Sequence, residues 1–182
     1  MIQPSYTLVP GHLPAGATPP TAAALQAFIE AAVRACPEIG PHPVCEVRWI
    51  GLDAESTLAI FELIRVRDKT GTFTLPWILA RTGQPEPREG DCIVLIDFRG
   101  QPRLLVRLTA IEAVTFGTIG SRHTAVDGTP VRDLAVWKPL HTRYWNNLLE
   151  PFGMVVSDDM PVLVERFELL ARTADLPVGS GT

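Results

Sequence analysis

The chain has little with which to hold a metal or a disulfide. Its three cysteines, Cys36, Cys45 and Cys92, form no CxxC pair, and an odd count argues against a disulfide framework. The four histidines, His12, His42, His123 and His141, are scattered. Zinc needs three or four convergent His, Cys or carboxylate ligands, so no metal site is expected. There is also no GxGxxG, Walker lysine loop, GxSxG or HExxH, which leaves most familiar enzyme classes, and any bound cofactor, without support. No apolar run approaches the ~20 residues of a membrane-spanning helix. Met1–Ser5 lacks the basic start and apolar block of a signal peptide. A reducing cytoplasm and no membrane partner are the expectation.

A basic run is missing as well. Residues 1–60 hold 2 basic and 5 acidic side chains, residues 61–110 hold 8 and 6, and residues 111–182 hold 6 and 9, for a net charge of −4. Such a chain lacks the phosphate-neutralising surface that duplex DNA demands. The middle segment could gather a local basic pocket from Arg65, Arg67, Lys69, Arg81 and Arg88, which favours a short strand, nucleotide or nucleoside. What is present is ordinary: 182 residues, 46% hydrophobic and 20% charged, suit one domain with a real core and an added arm.

Residues 1–20 hold five prolines, two glycines and no charged side chain, and read as an extended, poorly ordered arm. Residues 21–43 read as a helical extension, capped by Thr21 and stopped before Pro37. The main domain is expected over 44–171, followed by a fraying tail at 172–182. Within it, 44–50 is a candidate strand. Asp53 caps a helix to about 66, with Leu58, Phe61 and Ile64 turned inward. Residues 73–78 read as extended, and 92–98 with 103–109 as a hairpin. Residues 115–129 form a long loop of the kind that more often carries function than mere connection. A helical stretch over 132–149 is divided by Pro139, and 161–170 is a closing strand.

Between the second helix and the third strand lies Arg67-Asp68-Lys69-Thr70-Gly71-Thr72-Phe73-Thr74, with one amine, three hydroxyls and a glycine. Lys69 and Thr72 are three apart, so a turn at Gly71 would bring amine and hydroxyl together. A lysine acts as a base only where burial or neighbouring charge lowers its pKa from ~10 towards ~7 to 8. The alternative is a polar turn with a solvated lysine. Asp127-Gly128 in the long loop is a turn that bonds its own backbone, or a carboxylate that orients a lysine. His141, between Trp137 and Trp145, reads as a packed, hydrogen-bonded histidine. Trp77, Trp137 and Trp145 are core side chains or stacking platforms for a base. Asp158-Asp159 reads as a turn or cap.

Several of these pieces together resemble a known family. Ser157-Asp158-Asp159-Met160-Pro161-Val162-Leu163-Val164-Glu165-Arg166-Phe167 is similar to the closing strand of bacterial ASCH-domain proteins. Lys69-Thr70-Gly71-Thr72 resembles their K-T-x-T, Glu89-Gly90-Asp91 their strand-opening glycine-aspartate, and Leu134–Trp137 with His141 their L-x-x-W-x-x-x-H helix. The resemblance implies an α+β, PUA-like, mostly antiparallel β pseudo-barrel with flanking helices. It also implies a cleft for RNA or a modified nucleoside. Some members are amidohydrolases that remove acyl groups from cytidine, and others are ribonucleases. Carried over by position, Lys69, Thr72 and Asp127 become the catalytic set, with Asp127 in place of glutamate. Arg67, Thr70, Thr74, Trp77, Trp137 and His141 become the ligand-binding set. A non-catalytic module for single-stranded RNA is the competing reading, and the sequence leaves the oligomeric state open. Three departures bear on activity: Arg67 stands where the family has glycine, Thr74 where arginine is frequent, and Asp127 is one methylene short.

Overall fold

The computed structural model describes residues 5–8, 15–41 and 43–175. Among the described residues, six strands form one open sheet in the order β1-β2-β4-β5-β6-β3. They are β1 (Ser5–Leu8), β2 (Val44–Arg48), β3 (Gly71–Thr74), β4 (Cys92–Ile96), β5 (Pro102–Thr115) and β6 (Pro161–Arg172). The first two pairings are parallel and the other three antiparallel. The described residues also form five α-helices: α1 (Ala22–Ala35), α2 (Ala54–Arg65), α3 (Pro76–Arg81), α4 (Ser121–Thr124) and α5 (Leu134–Leu149). The class is α+β, as expected. None of the described helices is long and apolar enough to cross a membrane.

Local chemistry accounts for most boundaries. Thr21 accepts from the Ala24 amide at 3.1 Å and starts α1. Asp53 accepts from the Ser56 amide while the Ser56 hydroxyl accepts from the Asp53 amide, a reciprocal cap for α2. The hairpin turn between β4 and β5 is closed by Asp97, whose carboxylate accepts from the Arg99 and Gln101 amides and pairs with Arg103. β4 is apolar throughout because both of its faces are covered. Cys92, Val94 and Ile96 pack with α1 through Leu25, Phe28 and Ile29. Ile93 and Leu95 pack with α2 through Phe61 and Ile64. A third cluster sets Phe73, Val162 and Val164 against α3 and α5 through Ile78, Trp137 and Trp145.

The sheet is curled. Arg48 on β2 reaches Glu165 on β6 at 2.7 Å although β4 and β5 lie between them. On a flat sheet those strands would stand about 14 Å apart, at ~4.8 Å per step. The closing strand β6 pairs with β5 along nearly its whole length and with β3 on its other side, which gives the pseudo-barrel its wall.

Four expectations are corrected. The arm contributes β1, paired in parallel with β2, so Ser5–Leu8 is an edge strand; His12, His42 and the tail after 175 lie outside the described residues. The extended reading of 73–78 ends at Thr74, because Pro76 takes the first turn of α3, where its missing N–H is harmless. Pro139 does not divide α5, which runs unbroken from Leu134 to Leu149. Burial of Trp137 and Trp145 on either side of it offsets the lost backbone bond. Leu58 faces solvent at 58% exposure, and the third inward position of α2 is taken by Thr57, whose hydroxyl donates to the Ile50 carbonyl.

Gly71 leaves no room for a side chain. A Cβ there would lie 2.5 Å from the Glu165 carbonyl oxygen and 2.6 Å from Val126 Cγ2. Gly71→Ala should therefore lower stability by about 2 kcal/mol, read as a shift in the urea midpoint at unchanged slope.

Candidate functional site

The site is built where the entry to β3 meets the long loop after β5. That loop is pinned at four points. The Thr70 amide donates to the Val126 carbonyl at 2.8 Å, and Val126 packs onto Gly71. Asp68 accepts from the Thr129 amide at 2.8 Å and pairs with Arg132. Gly128 lies against Leu63 of α2 so closely that a Cβ would meet Leu63 Cδ1 at 2.6 Å. His123 is buried at the loop's first turn, where its Nδ1 accepts from the Gly120 amide at 2.9 Å. These contacts hold Asp127 in place.

Lys69 and Asp127, 58 positions apart, form a buried ion pair, with Lys69 Nζ donating to Asp127 Oδ1. His141 stands beside them, its Nε2 4.0 Å from Asp127 Oδ2. Its ring stacks on Trp137 at 3.9 Å and 16°, with Phe73 edge-on at 5.5 Å. Burial pushes the His141 pKa down to about 4. The nearby Asp127 carboxylate and the Trp137 carbonyl pull it upward, and Lys69 adds to the lowering. The imidazole is therefore neutral near pH 7.

Thr72 is not part of this cluster. It lies opposite Glu165 in the β3–β6 register, so hydroxyl and carboxylate share the face turned towards α2. Phe73, one residue on, points to the face where His141, Asp127 and Val126 lie. The odd spacing of three that promised to join Lys69 and Thr72 separates them once Gly71 begins a strand instead of a turn. No hydrogen bond joins the Thr72 hydroxyl to Lys69 or Asp127 among the described residues. Thr70 is exposed and Thr74 half-buried. Arg67, also exposed, sits at φ 60°, a left-handed backbone that suits a glycine better than an arginine.

The aromatic platform is not available. Trp137 is fully buried with His141 on its face, and Trp145 is 1% exposed. Trp77 is half-buried, with Arg81 over its ring at 4.9 Å and Phe152 edge-on. The five cations do not form one pocket either: Arg65 ends α2, is paired with Glu62, and lies on the face opposite α3, which Arg81 ends.

Sequence reasoning missed a second polar cluster. On the inner face Arg48 pairs with both Glu46 and Glu165, which is fully buried. Burial raises the Glu46 pKa against the lowering pull of Arg48. Burial alone would lower Arg48, but its two carboxylates outweigh that and raise it. The one available signal was the i, i+2 spacing of Glu46 and Arg48 in a strand. On the α2 side, a cavity of ≈ 210 Å³ is lined by Ile64, Arg67, Lys69, Thr70, Phe167 and Glu168, with Leu169 completing it; of the Lys69, Asp127 and His141 cluster only Lys69 lines it. A larger, more open groove of ≈ 680 Å³ runs along α5 past Phe116, Lys138 and Arg143, and none of the expected site residues lines it. No group of three or more His, Cys, Asp or Glu side chains that could hold a metal ion is found among the described residues.

A family model described as ASCH domain matches residues 48–171. Among solved structures, an ASCH domain from Lactobacillus crispatus aligns with TM-score 0.74 at 18% identity, covering 81% of this chain and 94% of its own. A protein from Enterococcus faecalis aligns with TM-score 0.73 at 19% identity, covering 89% and 98%. At such identities the likeness is one of fold. No curated protein matches the chain.

Two outcomes follow from the buried charges. Asp127→Ala strands the Lys69 ammonium and should cost about 3 to 5 kcal/mol, whereas Lys69→Met with Asp127→Leu should recover most of that in urea unfolding. For His141, the unfolded chain takes up a proton as pH falls through 6.5 while the folded chain resists until about 4. Stability should therefore fall across that window by on the order of 3 kcal/mol. His141→Phe should flatten the decline in urea midpoints measured from pH 7 to 4.

Proposed function

This chain belongs to the ASCH domain family, and we propose that it binds RNA or a modified nucleoside in the polar cleft beside Lys69. The observation that carries the reading is Lys69, buried in its pair with Asp127 and itself part of the lining of a cavity of ≈ 210 Å³. Ligand pockets usually measure ~300 to 1,000 Å³. The cavity suits one base or acyl group rather than a whole nucleoside, with sugar and phosphate left at the rim near Arg67 and Thr70. An overall charge of −4 and cations spread over two faces weigh against duplex DNA.

A second reading, hydrolysis of an N-acyl group from a cytidine-type nucleoside, is favoured by the enclosure of Lys69 with an acid partner. Chemically, a threonine oxygen would attack the acyl carbon while a base takes the hydroxyl proton and passes it to the departing nitrogen, and water would then cleave the acyl–threonine ester to release the acid and restore the hydroxyl. Base and nucleophile must meet within ~2.6 to 3.2 Å. With Thr72 opposite Glu165 and Lys69 committed to Asp127, that contact is not made. Binding is thus the leading reading, and hydrolysis asks for a rearrangement of β3. No observation favours a ribonuclease.

Calorimetric titration with acetylated cytidine, cytidine and a short single-stranded RNA tests this, with chromatography following deacetylation. The expected result is binding without turnover, weakened at least tenfold by Lys69→Ala and by Arg67→Ala, the latter distant from the buried pair. Turnover abolished by Lys69→Ala would put the hydrolase first. No binding of any probe would remove the reading altogether.

A further inference from the structure

The chain has no CxxC, but its sheet brings together two thiols that lie far apart in sequence. Cys45 on β2 and Cys92 on β4 are register partners on neighbouring parallel strands. Both side chains leave the same face, where they pack with Leu25, Phe28 and Ile29 of α1. Neighbouring strands run ~4.8 Å apart, within the ~4.4 to 6.8 Å between Cα atoms that a disulfide bridges. Cys45 is fully buried and Cys92 is 6% exposed. Each stands near the start of its strand: Val44 before Cys45 is 68% exposed, and the exposed Glu89 and Gly90 lead through Asp91 into Cys92. Cys92 therefore keeps a small contact with solvent, and its partner has none.

The two thiols are chemically unequal. A hydrogen bond from the Cys45 thiol draws the Cys92 pKa below that of an ordinary thiol; burial opposes this, and Arg107, opposite Cys92 on β5, adds to the lowering. The same contact, together with burial, raises Cys45. One member is thus the ready nucleophile while the other holds the proton, a division that suits a dithiol oxidised in two steps. The third thiol differs from both. Cys36 caps the end of α1, has more solvent access, and donates to the Leu170 carbonyl at 3.3 Å. Desolvation and the neighbouring Glu38 carboxylate raise its pKa, so the most accessible of the three cysteines is a poor nucleophile.

We propose that Cys45 and Cys92 form a reversible dithiol–disulfide site that takes a hydroperoxide as its oxidant and ties β2 to β4. The Cys92 thiolate attacks one oxygen of hydrogen peroxide, the O–O bond breaks, and the leaving hydroxide takes up the proton that Cys92 gave away. The Cys45 sulfur then attacks the Cys92 sulfenic acid: the S–S bond forms, the S–O bond breaks, and the hydroxide departs as water with the Cys45 proton. Two thiols lose two hydrogens, and one peroxide is reduced to two waters. Facing side chains in a sheet hold their Cβ atoms at about the strand spacing, beyond the ~3.5 to 4.5 Å of a relaxed disulfide, so a free thiol such as glutathione reopens the bond by exchange. The pair lies on the α1 face, away from the cavity on the α2 side, and does not depend on the ligand read there.

Peroxide treatment of the reduced full chain in native buffer at pH 7, followed by alkylation, intact mass and peptide mapping without reductant, tests this. The expected result is the loss of two hydrogens, alkylation at Cys36 alone, and a linked peptide pair carrying Cys45 and Cys92. Glutathione should then restore three alkylatable thiols. Dimedone, which traps sulfenic acids, should label Cys92 in Cys45→Ser, and Cys36→Ser should leave the linked pair unchanged. Three alkylated cysteines after peroxide, a bridge that includes Cys36, oxidation of Cys36 ahead of Cys92, or a bond that glutathione leaves closed would each overturn the inference. The mass and mapping readouts use the unaltered chain, so they decide the matter even if Cys45→Ser does not fold.

Discussion

The buried ion pair between Lys69 and Asp127 is the constraint on which the rest of the site depends. Two charges with 5% and 6% exposure are tolerable only while they satisfy each other, because removing either leaves the other without water or a counter-charge. The pair therefore couples the entry to β3 to a loop far along the chain. Its surroundings serve that coupling. Gly71 and Gly128 permit the loop to lie directly on β3 and α2, and Asp68 and Arg132 tie the loop's far end back to the residue beside Lys69.

A second ionic cluster occupies the other face of the same sheet. Arg48 holds Glu46 and Glu165 there and, by bridging β2 and β6, keeps the sheet curled. Thr72 belongs to that side through its register with Glu165. Polar chemistry is thus divided between two faces of β3, with acid and imidazole on the α5 side, hydroxyl, guanidinium and two carboxylates on the α2 side, and the amine at the strand's entry. That division, more than any single missing residue, is why ligand binding fits the geometry better than hydrolysis.

Two residues at the site have local consequences. Arg67 takes a left-handed backbone where a glycine would sit without strain, and it lines the cavity. Asp127, shorter than glutamate, still reaches Lys69 because Gly71 and Gly128 let its loop come close.

By itself the sequence determined what depends on near neighbours. Thr21 and Asp53 cap helices through amides within three residues, Asp97 closes a hairpin in the same way, and the apolar runs of β4 and β6 can only be strands covered on both sides or nearly so. The terminal motif sufficed for the family because it is a contiguous string. Tertiary structure alone decided which side chains meet. Whether positions three apart share a face depends on whether Gly71 opens a turn or a strand, and its pairing with β6 chose the strand. Burial of Trp137 and Trp145 carried α5 through Pro139, and the curl of the sheet brought Arg48 to a glutamate 117 positions away. These outcomes are set by packing between distant segments, whose energies exceed the local preferences that a sequence displays.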